Sequence, residues 1–473
     1  MDTSPSAPTD ATVEEKLIAG VPEWGIDPVP PSLRRFGAFD GWVLWFNLGI
    51  SLLLPVVAAF LVPGLSFWGA AIATIVGVVI GNVMLGYAGR IGAETGAPAM
   101  VLYRPSLGRT GSYVPTVLNI AQNIGWGAFE LIVIGSAAAA VSKRLFGVEA
   151  RWAWTILFGA VVTLMAIGGP LVIVREWLRR YAIWLVLAAS IYLTGYVLTS
   201  VSFGVFVHAR GSGMPFWQGV DLVVAMPISW IALAADYTRF SRSTNASFVG
   251  TTIGYGIAQT WFYMLGVLLI LSKVAPNLAD TNAFIGAVVA VPFGVLAMAV
   301  LAIGEVDKPF ANVYSAAVSV QNGLPRIGQR RLSVAMGAIC TLLAVVVPLA
   351  QYQNFLLLIG AVFVPLFGVQ AAHYAIVRRG YSHDELYEAV PRVRWWGSVC
   401  WLAGFLTYNW LNPGSVSSWV SAMKWVFHTV LRAPFPGVNS APWLSASIAS
   451  FAVAFVMQSA QRIVRGRRST ARR

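Results

Sequence analysis

Charge is what this sequence has least of. Only 11% of its 473 residues are Asp, Glu, Lys or Arg, against about 25% in soluble domains. That scarcity excludes a string of ordinary water-soluble domains. Cysteine is nearly absent: Cys340 and Cys400 both lie inside apolar runs, so neither a disulfide framework nor thiol chemistry is expected. The four histidines, His208, His373, His383 and His428, have no metal-ligand spacing. No GxxxxGKS/T phosphate loop occurs, which removes ATP as a direct energy source. The first 40 residues lack the basic-then-apolar pattern of a cleavable signal and read as a polar tail that stays attached.

What is there is apolar. Hydrophobic residues make up 57% of the chain, and the mean hydropathy is +0.71. They come in blocks of about 20, the length of helix needed to cross roughly 30 Å of hydrocarbon. The blocks fall at about 41–62, 67–88, 112–142, 153–174, 181–203, 220–238, 248–271, 294–322, 333–350, 353–377, 395–411 and 441–461. Pro292 is expected to separate a surface helix from the eighth span. The chain therefore reads as an all-α polytopic membrane protein of twelve spans. Its expected parts are a tail at 1–40, five spans in 41–203, five more in 220–377, two in 395–461 and a basic tail at 462–473.

An even number of spans puts both termini on one side. With the N-terminus in the cytoplasm, 24 of the 32 Lys and Arg fall on inner tails and loops, among them Arg34–Arg35, Arg330–Arg331 and Arg378–Arg379. Seven fall outside, and Lys308 stays within a span. This asymmetry matches the positive-inside rule. The net charge of +13 is thereby assigned to topology and anionic lipid headgroups, not to nucleic acid.

A charge at bilayer depth costs about 2.5–3.5 kcal/mol on insertion scales and normally faces a partner or a wet cavity. In the third span Asn119, Asn123, Trp126 and Glu130 follow helical spacing on one face. A planar ligand stacked on the Trp126 indole would have its edge near Glu130; the alternative is an indole packed in the bundle and a carboxyl bonded to a neighbouring helix. In the eighth span Glu305, Lys308, Asn312, Ser315 and Ser319 share a face, with Asp307 beside them. They suggest either a packing salt bridge or a cation or proton site. Two spans look broken: the first at Asn47, Gly49 and Pro55, and the sixth at Pro227, Ser229 and Trp230. Interrupted segments at corresponding positions of two halves point to a transporter's midplane site. Gly77 and Gly81 form a GxxxG read as close helix packing.

LWFNLGISLLLPV, GAPAMVLYRPSLGRTGSYVPTVLN, GWGAFELIV, SWIALAADYTRF and FANVYSAAVSVQN resemble the nucleobase–cation symporter-1 family, in its purine–cytosine permease-like branch. The resemblance implies a leucine-transporter-type five-plus-five inverted repeat with two extra C-terminal helices. It implies a flat heterocycle held between the third and sixth spans, with Trp126 stacking, Glu130 reading the edge, Ser229 or Trp230 on the sixth-span side and Asn312 from the eighth. Sodium-dependent relatives would place the ion between eighth-span hydroxyls and first-span carbonyls near Asn47 and Gly49. Here the eighth-span turn reads Asp307-Lys308, so protons are expected to replace sodium, with Lys308 and an acid, Glu305 or Asp307, titrating. No cofactor beyond a coupling cation, H+ or Na+, is expected. The expected activity is import of cytosine or a purine across the cytoplasmic membrane, with hydroxymethylpyrimidine, hydantoin or allantoin as alternative cargo. An intramembrane enzyme finds no nucleophile–base pair here, and a channel would not accumulate its solute.

Overall fold

The computed structural model describes residues 24–169, 178, 180–274, 281–346, 352–436 and 441–470. Most of the tail expected at 1–40, the end of the tail expected at 462–473, and the ends of the fourth and ninth expected spans lie outside these residues. Among the described residues every regular element is helical, as a chain in hydrocarbon requires, because each backbone N–H and C=O must be bonded within the segment. In chain order the main helices are α1 (Ala38–Gly49), α2 (Leu54–Ala58), α3 (Phe67–Thr95), α4 (Tyr113–Phe146), α5 (Arg151–Gly168), α6 (Ile183–Ser200), α7 (Phe216–Thr238) and α8 (Thr244–Leu271). They are followed by α9 (Thr281–Ala290), α10 (Gly294–Gly304), α11 (Asp307–Gly323), α12 (Gln329–Val346), α13 (Tyr352–Ala372), α14 (Trp395–Leu411), α15 (Ser417–Trp425) and α16 (Ala446–Thr470).

Eight of the described helices are long and apolar enough to cross a membrane. The four other expected spans correspond to the α1–α2 pair, the α10–α11 pair, α14 and α16. The surface helix expected before Pro292 is α9.

The first span breaks between Gly49 and Leu54, as the sequence suggests. The sixth does not. Helix α7 runs unbroken through Pro227, and the second break falls instead in the eighth span, between Gly304 and Asp307. Both outcomes follow from where the freed carbonyls find partners. Pro227 has no N–H for the Val223 carbonyl four residues back, but Gln259 on α8 donates its Nε2 to that oxygen at 2.8 Å. Asn82 on α3 in turn donates to Gln259 Oε1 at 2.9 Å. In the eighth span the Lys308 N–H turns to the Glu305 carbonyl at 3.2 Å. Its own Nζ takes the Gly304 carbonyl at 3.0 Å, so the α-helical ladder is interrupted there. We expect Gln259→Leu to destabilise the protein by about 1–3 kcal/mol, the cost of a buried carbonyl left without a donor; an unchanged melting temperature for the purified variant would refute this role.

The glycines at 77 and 81 let α3 lie directly on α7. A Cβ at Gly77 would sit 2.6 Å from Val223 Cβ, and one at Gly81 would sit 2.3 Å from Pro227 Cγ. The segment from Trp24 to Phe36 crosses one end of the bundle. Arg34 holds the carbonyls of Val29 and Ala93 at 2.9 and 2.8 Å. Arg239, buried at the end of α7, donates to the Gly25 carbonyl and to the Tyr314 hydroxyl, both at 2.7 Å. Tyr387 donates to the Ile26 carbonyl at 2.7 Å.

Candidate functional site

The polar faces of α4 and α11 meet at mid-span depth, beside the break between α1 and α2. There Leu48, Ser51, Trp126, Glu130, Met226, Ser229, Trp230, Leu233, Tyr255 and Asn312 line one small cavity. Its volume of about 10 Å³ holds roughly one water. A cavity of this size has no room for a heterocycle as it stands. Trp126 is braced edge-on by Phe355 of α13, ring centroids 5.4 Å apart. Trp230 is braced by Trp45 at 6.1 Å and donates its Nε1 to the Tyr255 hydroxyl at 2.9 Å. Ring pairs of this kind fix both indole planes.

Glu305 is the link between two broken helices. Its carboxylate accepts from Ser51 Oγ at 2.7 Å and from the Leu52 N–H at 3.1 and 3.2 Å. It thus satisfies donors in the break just ahead of the first turn of α2. Lys308 Nζ lies 2.7 Å from Asp307 Oδ1 and 3.7 Å from Glu305 Oε2. All three groups are buried, as is Glu130. Glu130 lies on the cavity wall with Ser51, the residue bonded to Glu305. Glu130 Oε2 is buried without a hydrogen-bond partner.

Of the residues expected at the site, Trp126, Glu130, Ser229, Trp230 and Asn312 come together. Glu305, Asp307 and Lys308 form one ion cluster next to them. Asn123 does not line the cavity; it donates to the Asn119 carbonyl of its own helix at 2.9 Å. Nor do Asn47 and Gly49 touch the cluster. Asn47 donates to the Val43 carbonyl at 2.9 Å, and Gly49 faces Ala258 and Tyr255 on α8. The break places Ser51 and Leu52 on Glu305 instead, because only residues beyond the last turn of α1 have uncommitted backbone donors. Tyr255 and Ser51 were not singled out by the sequence. A phenol deep in an apolar span, which needs a polar partner, is the signal that would have found the first.

A family profile described as permease for cytosine/purines, uracil, thiamine and allantoin matches residues 28–403. The chain belongs to this permease family. Within it, the hydantoin permease of Microbacterium maritypicum is 25% identical over 435 residues, covering 84% of this chain and 87% of the relative. The cytosine permease of Escherichia coli K12 is 27% identical over 355 residues, covering 72% and 78%. The structure of Mhp1, a nucleobase–cation-symport-1 family transporter, in a closed conformation with bromovinylhydantoin bound, superposes with a TM-score of 0.73 at 19% identity, covering 93% of this chain and 95% of that one. A sodium-coupled sialic acid symporter aligns at a TM-score of 0.60 and 10% identity, covering 92% and 91%, so the fold is shared well beyond this permease family. The protein is a multi-pass membrane transporter of nucleobase-like molecules, not an enzyme.

Proposed function

We propose that this permease imports a flat heterocycle with a donor-rich edge, an aminated nucleobase such as cytosine or adenine, and couples that import to protons. The observation that carries the reading is the state of the polar groups around the cavity. Ser51 donates to Glu305, Ser229 to the Met226 carbonyl, Trp230 to Tyr255 and Asn312 to the Lys308 carbonyl. Those donors are spent inside the protein, while Glu130 Oε2 remains an acceptor without a donor. A ligand that fits supplies adjacent N–H groups, as the amino and ring N–H groups of aminated base tautomers do. Uracil alternates acceptors with its donors and fits less well. Trp126 and Trp230 supply the aromatic walls.

Coupling follows from the ion cluster. Lys308 is a cation fixed to the chain, set between Asp307 and Glu305 beside the first-span break. A free sodium ion there would face an ammonium within a few ångströms, a repulsion of roughly 4 kcal/mol at an effective dielectric of 20. Three buried acids, Glu130, Glu305 and Asp307, face one base, so full ionisation leaves two uncompensated charges in a low-dielectric site. Protons moving onto and off this cluster are the cargo's partner in this scheme, with both termini on the cytoplasmic side.

The hydantoin-permease relative keeps hydantoins in view as a second cargo class, since their two ring N–H groups also donate. A binding panel on purified protein separates them: cytosine, adenine, uracil, hydantoin and allantoin, each with and without sodium at pH 5.5 and 7.5. The expected result is tightest binding of an aminated base, unaffected by sodium and changed by pH. Preference for hydantoin or allantoin, or a strict sodium requirement, would overturn the proposal.

A further inference from the structure

We infer that the permease carries a binding site for an anionic phospholipid at the end of α4 opposite the Trp24–Phe36 segment, remote from the central cavity. A cavity of about 560 Å³ opens there between the last turns of α4, the start of α5 and the surface helix α9. Apart from its charged residues the lining is mostly apolar, with Ala139 and Ala140 from α4 and Ile285 and Val289 from α9, and it includes the polar Ser136 and Asn282. Its rim is basic, with Lys143, Arg144 and Arg151 against the single acid Glu149.

The charges on this rim are unequally engaged. Lys143 Nζ sits 2.5 Å from Glu149 Oε2 and is neutralised by it. Arg144 and Arg151 have no carboxylate among the described residues. Two guanidinium groups at the mouth of an apolar groove match a phosphate diester carried on acyl chains, because guanidinium forks bind phosphate oxygens in pairs. The surroundings fit a lipid better than a free anion. Phe146, Trp152, Ile156 and Leu157 are exposed beside the groove, so the apolar part of its lining continues into a surface that lies against hydrocarbon. Trp152 is the kind of residue that marks the headgroup level. Acyl chains would lie along Ala139, Ala140, Ile285 and Val289 while the phosphate meets Arg144 and Arg151.

One glycine makes the idea testable without disturbing the fold. Gly286 lines the groove, and a Cβ built on it meets no atom within 4 Å. Gly286→Leu therefore fills the groove from a helix that accepts leucine readily.

The experiment is native mass spectrometry of the full-length protein released from phosphatidylcholine nanodiscs containing 10% phosphatidylglycerol, with free glycerol phosphate as a separate competitor. The wild type is expected to retain phosphatidylglycerol in preference to phosphatidylcholine. R144Q/R151Q is expected to weaken that retention about 30-fold, at about 1 kcal/mol for each basic side chain. Gly286→Leu is expected to lose it as well, with the melting temperature unchanged. Equal retention of the two lipids, or retention by R144Q/R151Q and Gly286→Leu that matches the wild type, would overturn the assignment. Displacement of the lipid by glycerol phosphate alone would also overturn it, in favour of a free-anion site.

Discussion

Replacing Glu130 by Gln lowers uptake of an aminated nucleobase on the order of 100-fold, whereas Trp126→Phe lowers it about tenfold at most. The difference comes from the strength of the two contacts. A hydrogen bond to a buried charged acceptor is worth about 1.5–3 kcal/mol, and an amide turned toward two ligand donors also presents a donor of its own. An aromatic contact is worth about 0.5–1.5 kcal/mol beyond its buried area, and Phe keeps a ring in place. At about 1.4 kcal/mol per decade the two losses separate cleanly in initial rates from proteoliposomes. Glu130→Gln also removes one of the three buried acids that face Lys308 in the proposed coupling scheme. The pH dependence of the residual uptake is therefore expected to flatten in this variant and to persist in Trp126→Phe. Equal losses in the two variants, or a pH profile that ignores position 130, would end the edge-reading role.

Lys308→Met is the second large effect. The ammonium is the only buried base within reach of Glu305 and Asp307 among the described residues, and breaking a buried ion pair from one side costs about 3–5 kcal/mol. The expected result is a sharply lower melting temperature and no concentrative uptake. Lys308→Met combined with Asp307→Asn removes one charge of each sign, and it is expected to recover most of the stability while remaining uncoupled. A single variant as stable as the wild type would mean that Lys308 does not balance the acids. A double variant that still concentrates substrate in response to a pH gradient would remove Lys308 and Asp307 from coupling.

The parts of the site that were legible in the sequence are those set by a single helix. Trp126 and Glu130 share a face because a helix repeats every 3.6 residues, and no tertiary knowledge is needed to see it. The break in the sixth span was expected from Pro227 and did not form. Whether a proline interrupts a membrane helix depends on whether the orphaned carbonyl finds a donor elsewhere, and Gln259 is 32 positions further along on another helix. The eighth span carried a partial signal in Pro309, which has no N–H for a carbonyl of the preceding turn, but that the helix breaks there was not legible. Lys308 spends its side chain and its backbone N–H on different carbonyls, a choice fixed by the acids around it. Ser51 and Leu52 were likewise invisible as partners of Glu305, because serine and leucine in a span gain meaning only from what faces them. The identity of the fold was far more accessible than the wiring within it.

The amide of Gln259 reaches two neighbours at once, Asn82 on α3 and the Val223 carbonyl on α7. Three helices are thus fastened at one point, about one turn along α7 from Met226, which lines the central cavity. To slide any of them past the others would strand polar atoms in a region without water to receive them. The trio is therefore expected to move as one piece. Spin labels placed within it are expected to keep constant spacing through turnover, and labels that move apart would refute this.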